Sequence, residues 1–204
     1  MVAIIDYKMG NVGSVLNALN FLGFEAKVTS DADEIKRASH IILPGVGAFG
    51  EGMFNLKKAN ILEMLNEEVK KKKKPFLGIC LGMQMLAKVG EEGGKFEGIG
   101  WVDGITRRFN VDEKKNRIPH IGWNEVKFTK KSTLFKSITK PFFYFVHSYF
   151  LDPKKSSVVV GKCMYGENFA ASIELGNIFG VQFHPEKSQS EGLKILENFI
   201  NFES

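Results

Sequence analysis

Four short apolar runs open the chain, Val2 to Asp6, Ala26 to Thr29, His40 to Leu43 and Pro75 to Ile79, and stretches of helical spacing separate them. After the first run, Val12, Val15, Leu16, Leu19 and Leu22 recur every three or four residues; before the fourth, Leu62, Leu65 and Val69 do so within Ile61 to Val69. Strands joined through a helix pair in parallel, because a tight hairpin serves only antiparallel neighbours. The alternation therefore predicts a mostly parallel sheet covered by helices. From about Phe96 to His184 the texture changes to apolar runs broken by glycine, asparagine and proline, as in Phe142 to Val146, Val158 to Val160 and Ile178 to Phe183. That half is expected to be strand-rich. Ser188 is placed to cap a last helix whose inward stripe is Leu193, Leu196, Phe199 and Ile200. With 204 residues, 44% of them hydrophobic, the chain is expected to form one domain over 1–204.

The formal charge is +5, and it is local: without Lys70 to Lys74 the charges balance. A lysine run just before Pro75 suits the last turn of a helix, where cations meet the negative end of the dipole and proline stops continuation. No aromatic residues interleave with it, so no nucleic-acid surface is expected. No basic leader with an apolar core precedes the first strand, and no run approaches about 18 apolar residues, so neither export nor a membrane span is expected. Two cysteines, Cys80 and Cys163, make no disulfide framework, and a reducing cytoplasm is the expected setting.

Cys80 stands in Gly78-Ile79-Cys80-Leu81-Gly82, after the strand Pro75-Phe76-Leu77 and before a helix expected over Met83 to Ala87. This is the layout of a nucleophile elbow, a sharp strand-to-helix turn whose central residue is strained and whose flanks must be small. A helix N-terminus behind the sulfur favours the thiolate, which is the reactive form. Cys163 follows Val158-Val159-Val160-Gly161-Lys162 without such a turn and reads as an apolar filler.

Near the other end, Val181-Gln182-Phe183-His184-Pro185-Glu186 runs from a strand into an X-Pro step that favours extended backbone at His184. Side chains two apart on extended chain share a face, so Glu186 can orient one imidazole nitrogen and leave the other for a thiol. Both strand ends fall on the same edge of a parallel sheet, where sites of such folds lie. His40, His120, His147 and His184 show no i, i+4 pair and no Cys-x-x-Cys accompanies them, so no metal site and no cofactor are expected.

Further segments surround these: Ile5-Asp6-Tyr7 with Gly10-Asn11, Pro44-Gly45-Val46-Gly47-Ala48-Phe49, Pro119-His120-Ile121-Gly122-Trp123-Asn124, Tyr144-Phe145-Val146-His147-Ser148-Tyr149 and His184-Pro185-Glu186-Lys187-Ser188. Together they resemble the triad class of glutamine amidotransferases over nearly the whole chain, and within that class the glutaminase subunits of imidazole glycerol phosphate synthases. The resemblance implies a flavodoxin-like three-layer α/β fold with a central, mostly parallel sheet and an additional strand-rich second half. It implies that Cys80 attacks the glutamine amide, with His184 and Glu186 completing the triad, and that Val46, Gly47 and Leu81 border the oxyanion. Gln84, His147, Ser148 and Tyr149 would surround L-glutamine. The partner it implies is a (β/α)₈-barrel cyclase subunit, docked as a heterodimer near Asn11, Trp123, Tyr144 and Lys187, which uses the ammonia in histidine biosynthesis. One position departs from the pattern: Lys8 stands where the family commonly has glycine, in the loop near the docking face. A paralogue donating ammonia to amidination of a surface sugar, a standalone cysteine hydrolase and a non-catalytic subunit are the alternatives.

Overall fold

The computed structural model describes residues 1–203. Strand β1 (Val2–Ile5) is followed by helix α1 (Val12–Phe21), β2 (Ala26–Thr29), α2 (Ala32–Arg37), β3 (His40–Gly45), α3 (Phe49–Lys58), α4 (Ile61–Leu65), β4 (Phe76–Cys80) and α5 (Leu81–Gln84). The second half holds β5 (Ala87–Gly90), β6 (Phe96–Glu97), β7 (Val102–Arg108), β8 (His120–Glu125), β9 (Lys127–Phe128), β10 (Phe142–His147) and β11 (Tyr149–Pro153). It ends with β12 (Val159–Tyr165), β13 (Glu167–Leu175), β14 (Ile178–Val181) and α6 (Gln189–Ile200).

The main sheet has the order β2-β1-β3-β4-β14-β13-β12-β9. Its first five strands are parallel and its last three run antiparallel. The four inner parallel strands, β1, β3, β4 and β14, are buried on both faces, as strands covered twice must be, while the edge strand β2 exposes Lys27. In β1, Ala3 and Ile5 join the core beneath α2, α3 and α4, while Val2 and Ile4 join the opposite core beneath α1 and α6. Sheet and two helical covers thus form the expected three layers. The α6 stripe includes Leu196 and Phe199, both fully buried, and each such side chain contributes about 1.5–3 kcal/mol. A four-stranded sheet, β11-β7-β5-β6, and the antiparallel ribbon β8–β10 make up the rest of the strand-rich half. No helix among the described residues is long and apolar enough to cross a membrane.

One local expectation changes, and the lysine run, whose Lys70 and Lys71 do fall in the last turn of a helix, gains further partners. The segment Ile61 to Val69 is not one α-helix: α4 passes at Asn66 into a π-helical stretch, Asn66–Lys71. The lysines after it serve the fold. Lys72 and Lys74 both pair with the buried Glu68 carboxylate, at 2.7 and 2.8 Å, and Lys74 also donates to the carbonyls of Ile35 and Lys36 at the end of α2.

Candidate active site

Strand β4 ends on Cys80, whose backbone (φ 52°, ψ −109°) lies in a region that L-residues rarely occupy. Such strain costs about 1–3 kcal/mol and persists only where the surroundings impose it. They do so here. A Cβ on Gly78 would come within 2.7 Å of the Gly82 carbonyl, and one on Gly82 would collide with the Leu43 carbonyl of β3. The glycines are what let the turn close against the neighbouring strand.

The helix expected over Met83 to Ala87 stops after one turn. Thr106 Oγ1 donates to the carbonyl of Gln84 at 2.8 Å, and Ala87 begins β5, which pairs with β7. Sheet pairing outcompetes helical continuation, so Cys80 faces a single turn of amides rather than a long dipole.

Strand β14 lies parallel to β4, with Val181 opposite Ile79. The histidine that follows β14 is thereby brought beside Cys80 from about a hundred residues away in sequence. His184 is not joined to Glu186 through extended chain. It is extended itself (φ −97°, ψ 96°), but Pro185–Lys187 form a 3₁₀ turn that folds the carboxylate back, and Nδ1 donates to Glu186 Oε1 at 2.8 Å. Both side chains are buried, at 2% and 1% exposure. A carboxylate oxygen accepts, so the proton sits on Nδ1 and Nε2 is left for another group. Nε2 and Glu186 Oε2 have no hydrogen-bond partner. Burial alone would push the imidazole down; the Cys80 sulfur and the Glu186 carboxylate outweigh it and raise His184 to about 10. Ser188 does not cap α6 with its side chain. Its hydroxyl donates to the His184 carbonyl at 2.6 Å and accepts from the Tyr144 amide at 3.0 Å, tying the His184 turn to β10.

Val46, Gly47, Leu81, Gln84, His147, Ser148 and Tyr149 line one cavity of about 430 Å³ with Cys80. Val46 is exposed, and Gly47 takes φ +100°, which a glycine adopts freely. Sequence reasoning missed Ala48, Glu92, Pro119 and Val146 in this wall. Glu92 accepts from the Phe49 amide at 2.8 Å, fixing the start of α3 just after the glycine-rich loop; an acid 43 residues away gives no local signal of this.

His147 is almost wholly buried, and its protonation pattern follows from chemistry. Its Nδ1 lies 2.9 Å from the Tyr149 carbonyl, which only accepts, so Nδ1 carries the proton. Its Nε2 must then accept from His120 Nδ1 at 3.1 Å, and His120 Nε2 in turn from Asn124 Nδ2 at 3.4 Å. Burial pushes His120 down to about 4 and His147 down to about 3, so both rings are neutral at pH 7. Burial likewise pushes the Cys163 thiol up to about 12.

Of the candidate docking residues, Trp123 and Tyr144 face each other across the β8–β10 ribbon with ring centroids 6.2 Å apart, and Trp123 is 46% exposed. Lys187 follows in the turn that Ser188 ties to β10, and Asn11 stands at the start of α1, which packs against that turn.

The family profile described as glutamine amidotransferase class-I matches residues 3–202. The "Imidazole glycerol phosphate synthase subunit HisH" of Moorella thermoacetica is 47% identical, with 97% of this chain and 93% of that protein covered. The "subunit HisH 2" of Methanococcus maripaludis is 45% identical, with 98% of each covered. Among solved structures, a glutamine amidotransferase superposes with a TM-score of 0.76 at 17% identity, covering 98% of this chain and 97% of that one, which speaks for the fold. The chain is a member of the class-I glutamine amidotransferase family.

Proposed function

We propose that this chain is the glutaminase subunit of an imidazole glycerol phosphate synthase, hydrolysing L-glutamine to glutamate and ammonia with Cys80 as nucleophile. The observation that carries the chemistry is the buried His184–Glu186 pair set beside a strained Cys80 at the floor of the cavity. Relatives carrying that subunit's name over nearly the full length support the assignment.

Each step has a residue. The sulfur attacks the carboxamide carbon, and the electron pair moves to oxygen, where the backbone N–H groups of Leu81 and of Val46 or Gly47 meet the charge. His184 Nε2 passes a proton to the departing nitrogen, the C–N bond breaks, and ammonia leaves a glutamyl thioester. The now neutral Nε2 takes a proton from water, which attacks the thioester, and collapse releases glutamate and the sulfur. Glu186 holds the Nδ1 proton in place throughout. Gln84 has its nitrogen committed to the Tyr149 carbonyl and to Gln182, so its oxygen is the atom left to accept from the substrate. His147, Ser148 and Tyr149 complete the wall.

Ammonia that escapes into water is protonated and ceases to be a nucleophile, so a docked acceptor preserves it. That acceptor is a (β/α)₈-barrel cyclase forming a heterodimer over Asn11, Trp123, Tyr144 and Lys187, and yielding imidazole glycerol phosphate for histidine biosynthesis together with an aminoimidazole carboxamide ribotide for purines. The exposed Trp123 beside Tyr144 supports this face. A cytoplasmic setting keeps Cys80 reduced. Lys8 is the position that favours a second reading, a sugar-amidinating partner: it holds φ +67° without being glycine and projects an exposed amine from the loop.

The decisive measurement is glutamate release with and without the cyclase subunit and its nucleotide ligand. Turnover that rises with the partner and vanishes in Cys80→Ala is expected. Unchanged turnover in Cys80→Ala, or none in any condition, overturns the assignment. A glutamine-analogue electrophile should label Cys80, and glutamine should block it; peptide cleavage without such protection would point to a standalone hydrolase.

A further inference from the structure

Gln182 is fully buried, two residues before His184, and no step above uses it as a reactant. The pairing of Val181 with Ile79, carried one residue further, sets it beside Cys80. Its amide donates to the Ala171 carbonyl at 2.9 Å, so the backbone beneath the side chain is anchored to β13. The side-chain nitrogen stands 3.6 Å from Cys80 Sγ, and the side-chain oxygen 3.2 Å from Gln84 Nε2.

Which end of the Gln182 amide faces the sulfur is settled from the far end of this chain of contacts. The Tyr149 carbonyl only accepts, so the Gln84 atom 2.8 Å from it is nitrogen. That nitrogen also reaches Gln182, whose facing atom must be oxygen. The opposite rotation of Gln182 would set donor against donor at Gln84 and oxygen against sulfur at Cys80. An N–H is therefore aimed at the nucleophile, inside a buried site where a hydrogen bond to a charged group counts for more than in water.

We propose that Gln182 is a positioning residue for the nucleophile: its side-chain N–H, braced by Gln84, holds the Cys80 sulfur in its attacking orientation and favours the thiolate. This rests on the reading of Cys80 as nucleophile. It also gives Gln84 two duties, since the residue in the cavity wall sets the direction of the donor behind the sulfur.

The test is the rate of Cys80 alkylation by iodoacetamide against pH, read by peptide mass spectrometry in the parent, Gln182→Met and Gln182→Glu, with buried Cys163 as the slow reference. Methionine keeps the volume without the donor; glutamate keeps the shape and the acceptor toward Gln84. Gln182→Met should shift the alkylation midpoint upward by about one pH unit or more, the size expected when one charge-assisted hydrogen bond is lost, and Gln182→Glu, whose carboxylate also repels the thiolate, by at least as much. Midpoints matching the parent's overturn the proposal. Should neither variant fold, the parent decides: the Gln182 side-chain amide resonance should move through the same midpoint as Cys80 alkylation, and a resonance indifferent to that transition overturns the proposal. The underlying reading fails separately, by glutaminase turnover that survives Cys80→Ala.

Discussion

The strained turn at Cys80 makes a quantitative prediction that needs no catalysis. Cys80→Ala and Cys80→Gly both remove the sulfur and both leave His184 without its neighbour, so their difference isolates one Cβ and the backbone freedom it restricts. At an ordinary position glycine is the less stable of the two by about 0.5–1 kcal/mol, because its unfolded chain has more freedom to lose. At φ 52°, ψ −109°, an alanine Cβ keeps strain of about 1–3 kcal/mol that glycine lacks. Taking about 2 kcal/mol of relief against that entropic cost leaves Cys80→Gly more stable by about 1 kcal/mol. For a chain near 200 residues this is about 2–4 °C in melting temperature. Urea unfolding and thermal melts of the two variants, side by side, measure it. If Cys80→Gly proved the less stable by the ordinary margin, the turn would not store strain, and the elbow argument would fail.

Three further perturbations follow from the geometry. Gly82→Ala drives a Cβ into the Leu43 carbonyl, and thermal melts should show a loss of about 1–3 kcal/mol with glutaminase turnover falling alongside; a neutral variant would mean that β3 can give way. Ser188→Ala removes the hydroxyl joining His184 to Tyr144 and should cost about 1–3 kcal/mol in urea unfolding, beyond the value of an exposed helix cap. His120 and His147 are pushed down to about 4 and about 3 in the fold, against about 6.5 when unfolded, so the unfolded chain binds protons first as pH falls. Their contribution is complete above about pH 6.5 and is lost progressively toward about pH 3, so the melting temperature should fall over that window, less steeply in His120→Phe than in the parent. Equal slopes would show that the pair is not buried neutral.

Much of the fold was legible because it is local. Ala26–Thr29 is the strand its spacing predicted, and the first, third and fourth strands differ only at their ends. What lay beyond sequence was competition between local preference and distant pairing. Met85 to Ala87 suits a helix, but β7 takes Ala87 as a strand partner. Ser188 has a cap's position, yet two backbone groups on other elements claim its hydroxyl. The His-x-Glu spacing pointed to two side chains that do hydrogen-bond, but for an incomplete reason, since a 3₁₀ turn rather than extended chain brings the carboxylate back. Gln182 carried no signal of its own. A glutamine before an aromatic residue becomes telling only once the pairing of β14 with β4 sets it beside the sulfur.

That pairing also bears on the order of synthesis. Cys80 leaves the ribosome with its strand, but the strand that seats His184 comes about a hundred residues later and lies between β4 and β13, in the middle of the finished sheet. Until β14 slots in, β4 has an open edge and Cys80 stands without His184 beside it. If Cys80 and His184 act as proposed, a nascent or truncated chain carries the thiol without its base, and glutamine is spent only once the sheet is complete.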